Sequence, residues 1–224
     1  MNLPAQLFPG ELLWLTNIVF MVLLGRAIWF APWRGLLNNG ARVNALVGLS
    51  FGMFLFWQFS AGTRPGINHH MLGATLFVLM FGWRIALCLL TLMLLGTMLR
   101  LHMDLNAFGI NGLVMVIIPV LFSELVLRLS QSYLPKNFFI FVLGNGFLCS
   151  ALAMSLTIST AVVLLVIFST YKWGFLQYSY LAAAPIIVYA EAFATGALIT
   201  AFTVSKPEAV FNFDADAYFP DKPH

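Results

Sequence analysis

The chain has 224 residues, 61% of them hydrophobic and only 8% charged, with a formal charge of +3. Soluble domains carry about 25% charged residues, so this composition excludes a water-soluble protein and points to an integral membrane protein with lipid as its surroundings. The positive charge is small and scattered. With no basic run and no Gly-rich phosphate loop, nothing suggests nucleic acid as a partner.

Apolar runs of helical length recur without the alternating ten-residue pattern of a barrel. The expected fold is therefore all-α, a polytopic bundle of about seven transmembrane helices. Spans are expected at 12–31, 43–60, 70–82, 85–99, 107–129, 137–168 and 177–204. The N-terminus does not read as a secretory signal, because Pro4, Pro9 and Glu11 precede the first apolar run and no basic segment does. Asn2 is bulky enough to keep the initiator, which leaves a free α-amine at Met1. The third and fourth spans fall short of the ~20 residues that cross a bilayer, which suits a hairpin shielded by other helices or a locally thin membrane. The sixth would measure roughly 48 Å at 1.5 Å per residue, and Gly144-Asn145-Gly146 offers a place to bend it. Pro119 and Pro185 are expected to kink the fifth and seventh. Residues 1–205 form the transmembrane domain and 206–224 a short acidic, aromatic cytoplasmic tail carrying Asp214, Asp216 and Asp221.

Arg34, Arg42, Arg84, Arg128, Lys136 and Lys206 fall on one side of these spans, against Arg64, Arg100 and Lys172 on the other. The excess marks the cytoplasmic side. The N-terminus is then outside and the C-terminus inside, which puts Met1, His69, His70, His102 and Asp104 on one outer face.

Candidate functional residues are few. His69 and His70 open the third span in a chain with little other polarity, and imidazole is the commonest protein ligand for borderline transition metals. On a regular helix they would point about 100° apart, so joint ligation needs an irregular backbone, which nearby Pro65-Gly66 permits. His102 and Met103 could add ligands, while Asp104 or Asn106 is the expected cap of the fifth helix. Glu191 stands near the middle of the seventh span, where a charge costs ~3 kcal/mol or more. It is read either as an ion-linked gate or as a buried hydrogen-bonding partner of Asn145 or Asn111. Glu124 and Arg128, four apart, form an expected ion pair. Small residues on the seventh span, with Ala190, Ala194 and Gly196 among them, allow close helix packing within the chain or against a partner subunit. Cys88 and Cys149 read as small buried hydrophobes. No nucleophile–base pair is evident, so an enzyme is not expected, and any energy from nucleotide must come from another polypeptide.

Three ordered elements carry a resemblance. His70-Met71-Leu72-Gly73 resembles the "HLLGG" element of the cobalt/nickel substrate-capture permeases of energy-coupling-factor transporters, the CbiM/NikM type. The run from Ala107 to Met115 is similar to their "ALGANVFNMA" helix start, and that from Glu191 to Ala197 resembles their "EGLITG" element. The resemblance implies a seven-helix subunit of a prokaryotic cytoplasmic membrane. It would capture a divalent transition metal outside, nickel or cobalt before copper or zinc, with no permanent cofactor. A transmembrane coupling subunit and cytoplasmic ATPases would drive release. It also implies metal ligation by the α-amine, the backbone and imidazole nitrogens of a second-position histidine, and the histidine at His70. Here Asn2 replaces that second-position imidazole: either His69 or His102 substitutes for it, or the chain binds another metal or none. Two other readings stand beside this one: an accessory subunit that keeps the permease fold but docks on another membrane complex, and a secondary transporter driven by protons through Glu191.

Overall fold

Hydrocarbon offers backbone amides no water, so each must find a partner within the protein, and a helix achieves this along a single segment. The computed structural model describes residues 2–59, 61–64, 67–168 and 171–218, with the backbone alone at 61–64 and 67. The fold is all-α apart from one short two-stranded ribbon. Six helical segments are long and apolar enough to cross a membrane: Gly10–Phe30, Gly40–Gln58, Trp83–Arg100, Leu105–Tyr133, Ile140–Phe168 and Trp173–Ser205.

In chain order, α1 is Gly10–Phe30, α2 is Trp33–Leu37 and α3 is Gly40–Gln58. Strands β1 (Ala61–Arg64) and β2 (Ile67–His69) then pair antiparallel, with Ala61 opposite His69 and Gly62 opposite Asn68. The third expected span, too short to cross by itself, is a loop over 70–73 followed by α4, Ala74–Phe81, eight residues long and buried at every position, as a helix shielded by others would be. Hydropathy could not separate it from a span, because a helix enclosed by protein is apolar all round. The fourth expected span is longer than its apolar run, and α5, Trp83–Arg100, has 18 residues.

The fifth span is composite. Asp104 accepts from the Asn106 amide at 2.9 Å and starts a 3-10 turn, Leu105–Ala107. Then come α6 (Phe108–Gly112), a π-helical stretch Leu113–Ile117 and α7 (Ile118–Tyr133). Pro119 falls in the first turn of α7, where its missing N–H follows the widened π winding. The sixth span is not broken at Gly144-Asn145-Gly146. It is π-wound over Ile140–Leu148 and continues as α8, Cys149–Phe168. The seventh divides into α9 (Trp173–Ser179), a 3-10 turn Leu181–Ala183 and α10 (Ala184–Ser205). Pro185 lies in the first turn of α10, just after the 3-10 turn that interrupts the span, where no amide donor is required.

Close backbone approach sets two contacts. A Cβ added at Gly109 would come within 2.4 Å of the Asn17 backbone, and one at Gly112 within 2.5 Å of the Phe20 ring. The Asn17 side chain seals this α1–α6 crossing, donating to the Leu13 and Asn106 carbonyls and accepting from the Gly109 amide. At Gly196 an added Cβ would overlap the Phe147 ring, and one at Gly146 would sit 3.5 Å from the Gly196 Cα. The expected Glu124–Arg128 pair forms at 2.7 Å, and Cys88 and Cys149 are buried thiols.

The tail does not read as solvated once folded. Residues 206–218 turn back onto the bundle, with Ala209, Val210, Phe213 and Tyr218 buried, and end in α11, Ala215–Tyr218. Apolar side chains such as Trp14 and Trp29, exposed on α1, face outward as a lipid-facing surface requires.

Gly109→Ala should force α1 and α6 apart and cost about 1–3 kcal/mol, the usual scale of overpacking. Gly25→Ala, with nothing within 4 Å of its Cβ, should be neutral or stabilising. Thermal unfolding of both variants in one detergent checks the contrast.

Candidate functional site

The N-terminal segment is drawn into the bundle by one side chain. Asn111 of α6 is fully buried, and its Oδ1 accepts from the Leu3 amide at 2.8 Å. Its Nδ2 donates to the Leu3 carbonyl at 2.8 Å and to the Ala107 carbonyl at 2.9 Å. This pairing mimics a strand neighbour, and it fixes Leu3 in the interior. Asn2, also buried, donates its backbone amide to Asn68 Oδ1 of β2 at 2.8 Å. The chain start therefore lies against the ribbon that carries His69.

The histidine doublet sits on irregular backbone, at the end of β2 and in the loop before α4, and not on a helix. Both imidazoles are buried. His69 Nε2 lies 3.0 Å from the Tyr180 carbonyl, and its ring stacks on that of Tyr180 with centroids 4.1 Å apart. A carbonyl can only accept, so Nε2 carries the proton and Nδ1 keeps a bare lone pair. His70 Nδ1 lies 3.0 Å from the Met71 carbonyl, which by the same argument leaves the lone pair on Nε2. Among the described residues, neither His69 Nδ1 nor His70 Nε2 has a hydrogen-bond partner. Burial lowers the pKa of His69 and pushes that of His70 down to about 3. Both rings are neutral at pH 7, the form that ligates metal.

The loop after His70 is clamped from two helices. Glu191 of α10 accepts from the Leu72 amide at 2.8 Å with Oε2 and from the Gly73 amide at 2.7 Å with Oε1. It does not bond to Asn145 or Asn111: Asn145 donates to Ser130 Oγ, and Asn111 holds Leu3. Trp57 of α3 donates its indole N–H to the Leu72 carbonyl at 3.2 Å and lies 4.8 Å from the His70 ring. Gly73 has φ +70 and approaches Met53 so closely that a Cβ would come within 2.5 Å, which leaves no room for a side chain in a conformation that L residues avoid.

Buried polar atoms without partners gather here. Among the described residues, Asn2 Oδ1, Gln58 Oε1, His69 Nδ1, His70 Nε2 and the Tyr180 hydroxyl lack one, and Ser50 Oγ is the remaining case. Each such group costs about 1–3 kcal/mol when left unpaired, so this cluster is a place where a ligand would be stabilising. Gln58, His69 and His70 line an open depression of about 480 Å³ with Phe56, Phe59, Met71 and Ile187. No group of three or more His, Cys, Asp or Glu suited to a metal occurs among the described residues. Ligation here would therefore rest on the imidazoles, amide oxygens and chain terminus.

The expected site residues separate as follows. The structure brings Asn2, His69 and His70 to one end of the bundle, while Met1 lies outside the described residues. The turn Leu105–Ala107 reaches the same end, against the N-terminal turn Ala5–Leu7. His102 itself is exposed, with φ +50, and does not line the depression. Asn111 and Glu191 support the site from behind, whereas Asn145 belongs to the α7 contact. Ala190 and Ala194 are half-buried, and Gly196 is used within the chain against Phe147. Sequence reasoning missed Trp57, Gln58, Asn68 and Tyr180. Asn68 beside the doublet was the one local sign, because the others act from distant segments.

Residues 2–209 match the family described as "Cobalt uptake substrate-specific transmembrane region". No curated protein matches the chain significantly in sequence. Two similar solved structures share its fold at 20% identity. One, titled a truncated transition metal transporter, has a TM-score of 0.67 and covers 91% of this chain and 98% of its own. The other, titled a transition metal transporter, has a TM-score of 0.68, with coverages of 91% and 93%.

Glu191→Ala leaves two buried amides unpaired, at about 1–3 kcal/mol each. Glu191→Gln keeps one accepting oxygen and loses one. Thermal midpoints in detergent should fall from wild type to Gln to Ala, and equal midpoints for the two variants would contradict the two-oxygen clamp.

Proposed function

The chain belongs to the cobalt-uptake substrate-specific transmembrane family, and we propose that it is the substrate-capture subunit of an energy-coupling-factor-type uptake transporter for a divalent transition metal. Cobalt and nickel are the favoured cargo, and copper and zinc suit the same donors less selectively. The observation that carries this reading is the pair of neutral imidazoles, each fixed in a tautomer that leaves an unpartnered lone pair at His69 Nδ1 and His70 Nε2. Outer-sphere carbonyls that fix the tautomer are the usual support of a metal-ligating histidine. On this reading His70 and the Met1 amine bind the ion. His69, on irregular backbone beside Asn2, supplies the imidazole that position two lacks, and Asn2 Oδ1 offers an oxygen.

The membrane is a prokaryotic cytoplasmic one, with the N-terminus and the histidines outside and the C-terminus inside. A transmembrane coupling subunit and cytoplasmic ATPases supply the energy for release, so the chain needs no catalytic centre of its own. Glu191 acts as a clamp: two backbone amides occupy its carboxylate, which speaks against a proton-carrying role.

Equilibrium dialysis of purified protein against Co(II), Ni(II), Cu(II) and Zn(II) tests the reading. His70→Ala should lower affinity by more than about 100-fold, because losing even an outer-sphere partner costs about 10–100-fold. His69→Ala should lower it measurably and His102→Ala should not. Absence of binding to all four ions, with unchanged cellular metal content in the His70→Ala strain, would overturn it. Metal uptake in proteoliposomes without ATPase subunits would favour a secondary transporter.

A further inference from the structure

α4 is an eight-residue helix enclosed by protein, and a helix of that length has little stability by itself. Its end groups lie where no water reaches, so they depend on partners from elsewhere in the chain. At the N-terminal end Glu191 accepts from the amide of Gly73, the N-cap, and from that of Leu72 just before it. At the C-terminal end the Gly82 amide closes on the Val78 carbonyl at 2.9 Å, and the other partners come from the tail. Asn212 Nδ2 donates to the Val78 carbonyl at 2.8 Å, the Asn212 amide to Leu79 at 3.3 Å, and the Phe211 amide to Met80 at 3.0 Å.

The tail is held in turn by contacts at its edge. Asn39 Nδ2 and Arg42 Nε both donate to the Glu208 carbonyl, at 3.2 and 3.1 Å. The Arg42 guanidinium sits 5.2 Å from the Phe211 ring centroid, and Phe211 packs against Gly82, whose φ of +81 ends α4. Farther along, Phe213 stacks on Tyr218 at 4.7 Å and meets Phe141 at 5.0 Å. The bonds on α4 are few and come from one dipeptide, Phe211-Asn212, while the outer holds on Glu208 involve exposed groups.

We propose that residues 206–218 are a detachable strap on α4, and that strap and metal loop, attached to opposite ends of one short helix, share a single conformational equilibrium. With the strap seated, α4 is complete and the Leu72–Gly73 backbone is held for His70. With the strap lifted, the Leu79 and Met80 carbonyls lose their donors, Val78 keeps only the Gly82 amide, α4 loosens, and Glu191 loses its grip on the loop. A lifted strap is then the state that lets a bound ion leave. That last consequence rests on the metal-capture reading, whereas the mechanical coupling does not.

Hydrogen–deuterium exchange on the full chain in lipid nanodiscs, without metal, tests the coupling. Asn212→Ala removes the side-chain donor to Val78. Arg42→Ala is a milder variant that leaves every α4 contact in place and weakens only the strap's hold. Both should speed exchange at the amides of residues 77–82, by about tenfold in Asn212→Ala, the effect of losing one buried hydrogen bond. The Leu72 and Gly73 amides should accelerate with them. Faster exchange confined to 77–82, with Leu72 and Gly73 as protected as in wild type in both variants, would overturn the proposal. A second arm adds Co(II) to wild type. By reciprocity it should slow exchange at Phe211 and Asn212. If the metal-free coupling is present and Co(II) changes nothing anywhere, the metal-capture reading fails and the strap stands.

Discussion

A helix that ends inside a membrane protein leaves amides and carbonyls with no water to bond, and the rest of this structure depends on how α4 meets that constraint. Its eight residues are too few to cross a bilayer, and all of them are buried. Gly82 serves one carbonyl locally, and residues distant in sequence complete the rest: Glu191 of α10 holds the backbone at the start, and Phe211-Asn212 of the tail the end. These contacts explain several features together. A carboxylate is tolerated in the last long helix because two amides receive it. Gly73 and Gly82 bracket α4 at positive φ because the chain must turn sharply at each end. The tail packs against the bundle because its amides are needed there.

The same device prepares the histidines. A loop leading into a buried helix start, clamped by Glu191 and Trp57, cannot follow helical geometry. Adjacent imidazoles can then be presented from irregular backbone, each held in one tautomer by a carbonyl. Asn111 adds the chain start by pairing with both backbone groups of Leu3. The donor set offered by the described residues is neutral, with the carboxylate of Glu191 spent on the backbone. Neutral donors fit an ion that is cargo: it must be held long enough to be selected and weakly enough to be released.

Much of the fold was legible in the sequence because membrane helices announce themselves by uninterrupted apolar runs. The Asp104 cap, the Glu124–Arg128 pair and the small residues of the last helix follow from local spacing. α4 was misjudged in length because enclosure by protein and enclosure by lipid select the same side chains. Pro119 and Pro185 marked the right places, since the winding changes just before each, but an apolar run does not reveal that the change is a π stretch in one case and a 3-10 turn in the other. Glu191 was assigned the wrong partner because its true partners are backbone amides of Leu72 and Gly73, and backbone donors leave no mark on composition. The tail's packing was not legible because its carboxylates are conspicuous in sequence, whereas its contacts with α4 come from main-chain amides and Asn212. At the site, the doublet and the N-terminal segment were found from residue chemistry, while the fixed tautomers required the positions of the Tyr180 and Met71 carbonyls.

The account's central claim is that His69 and His70 both present a lone pair to one ion, with His69 standing in for the imidazole that Asn2 displaces. X-ray absorption at the cobalt edge of the Co(II)-loaded protein counts imidazoles directly through their outer-shell scattering. The account predicts two imidazoles per cobalt in the wild type and one in His69→Ala. A single imidazole in both, or none in either, would contradict it.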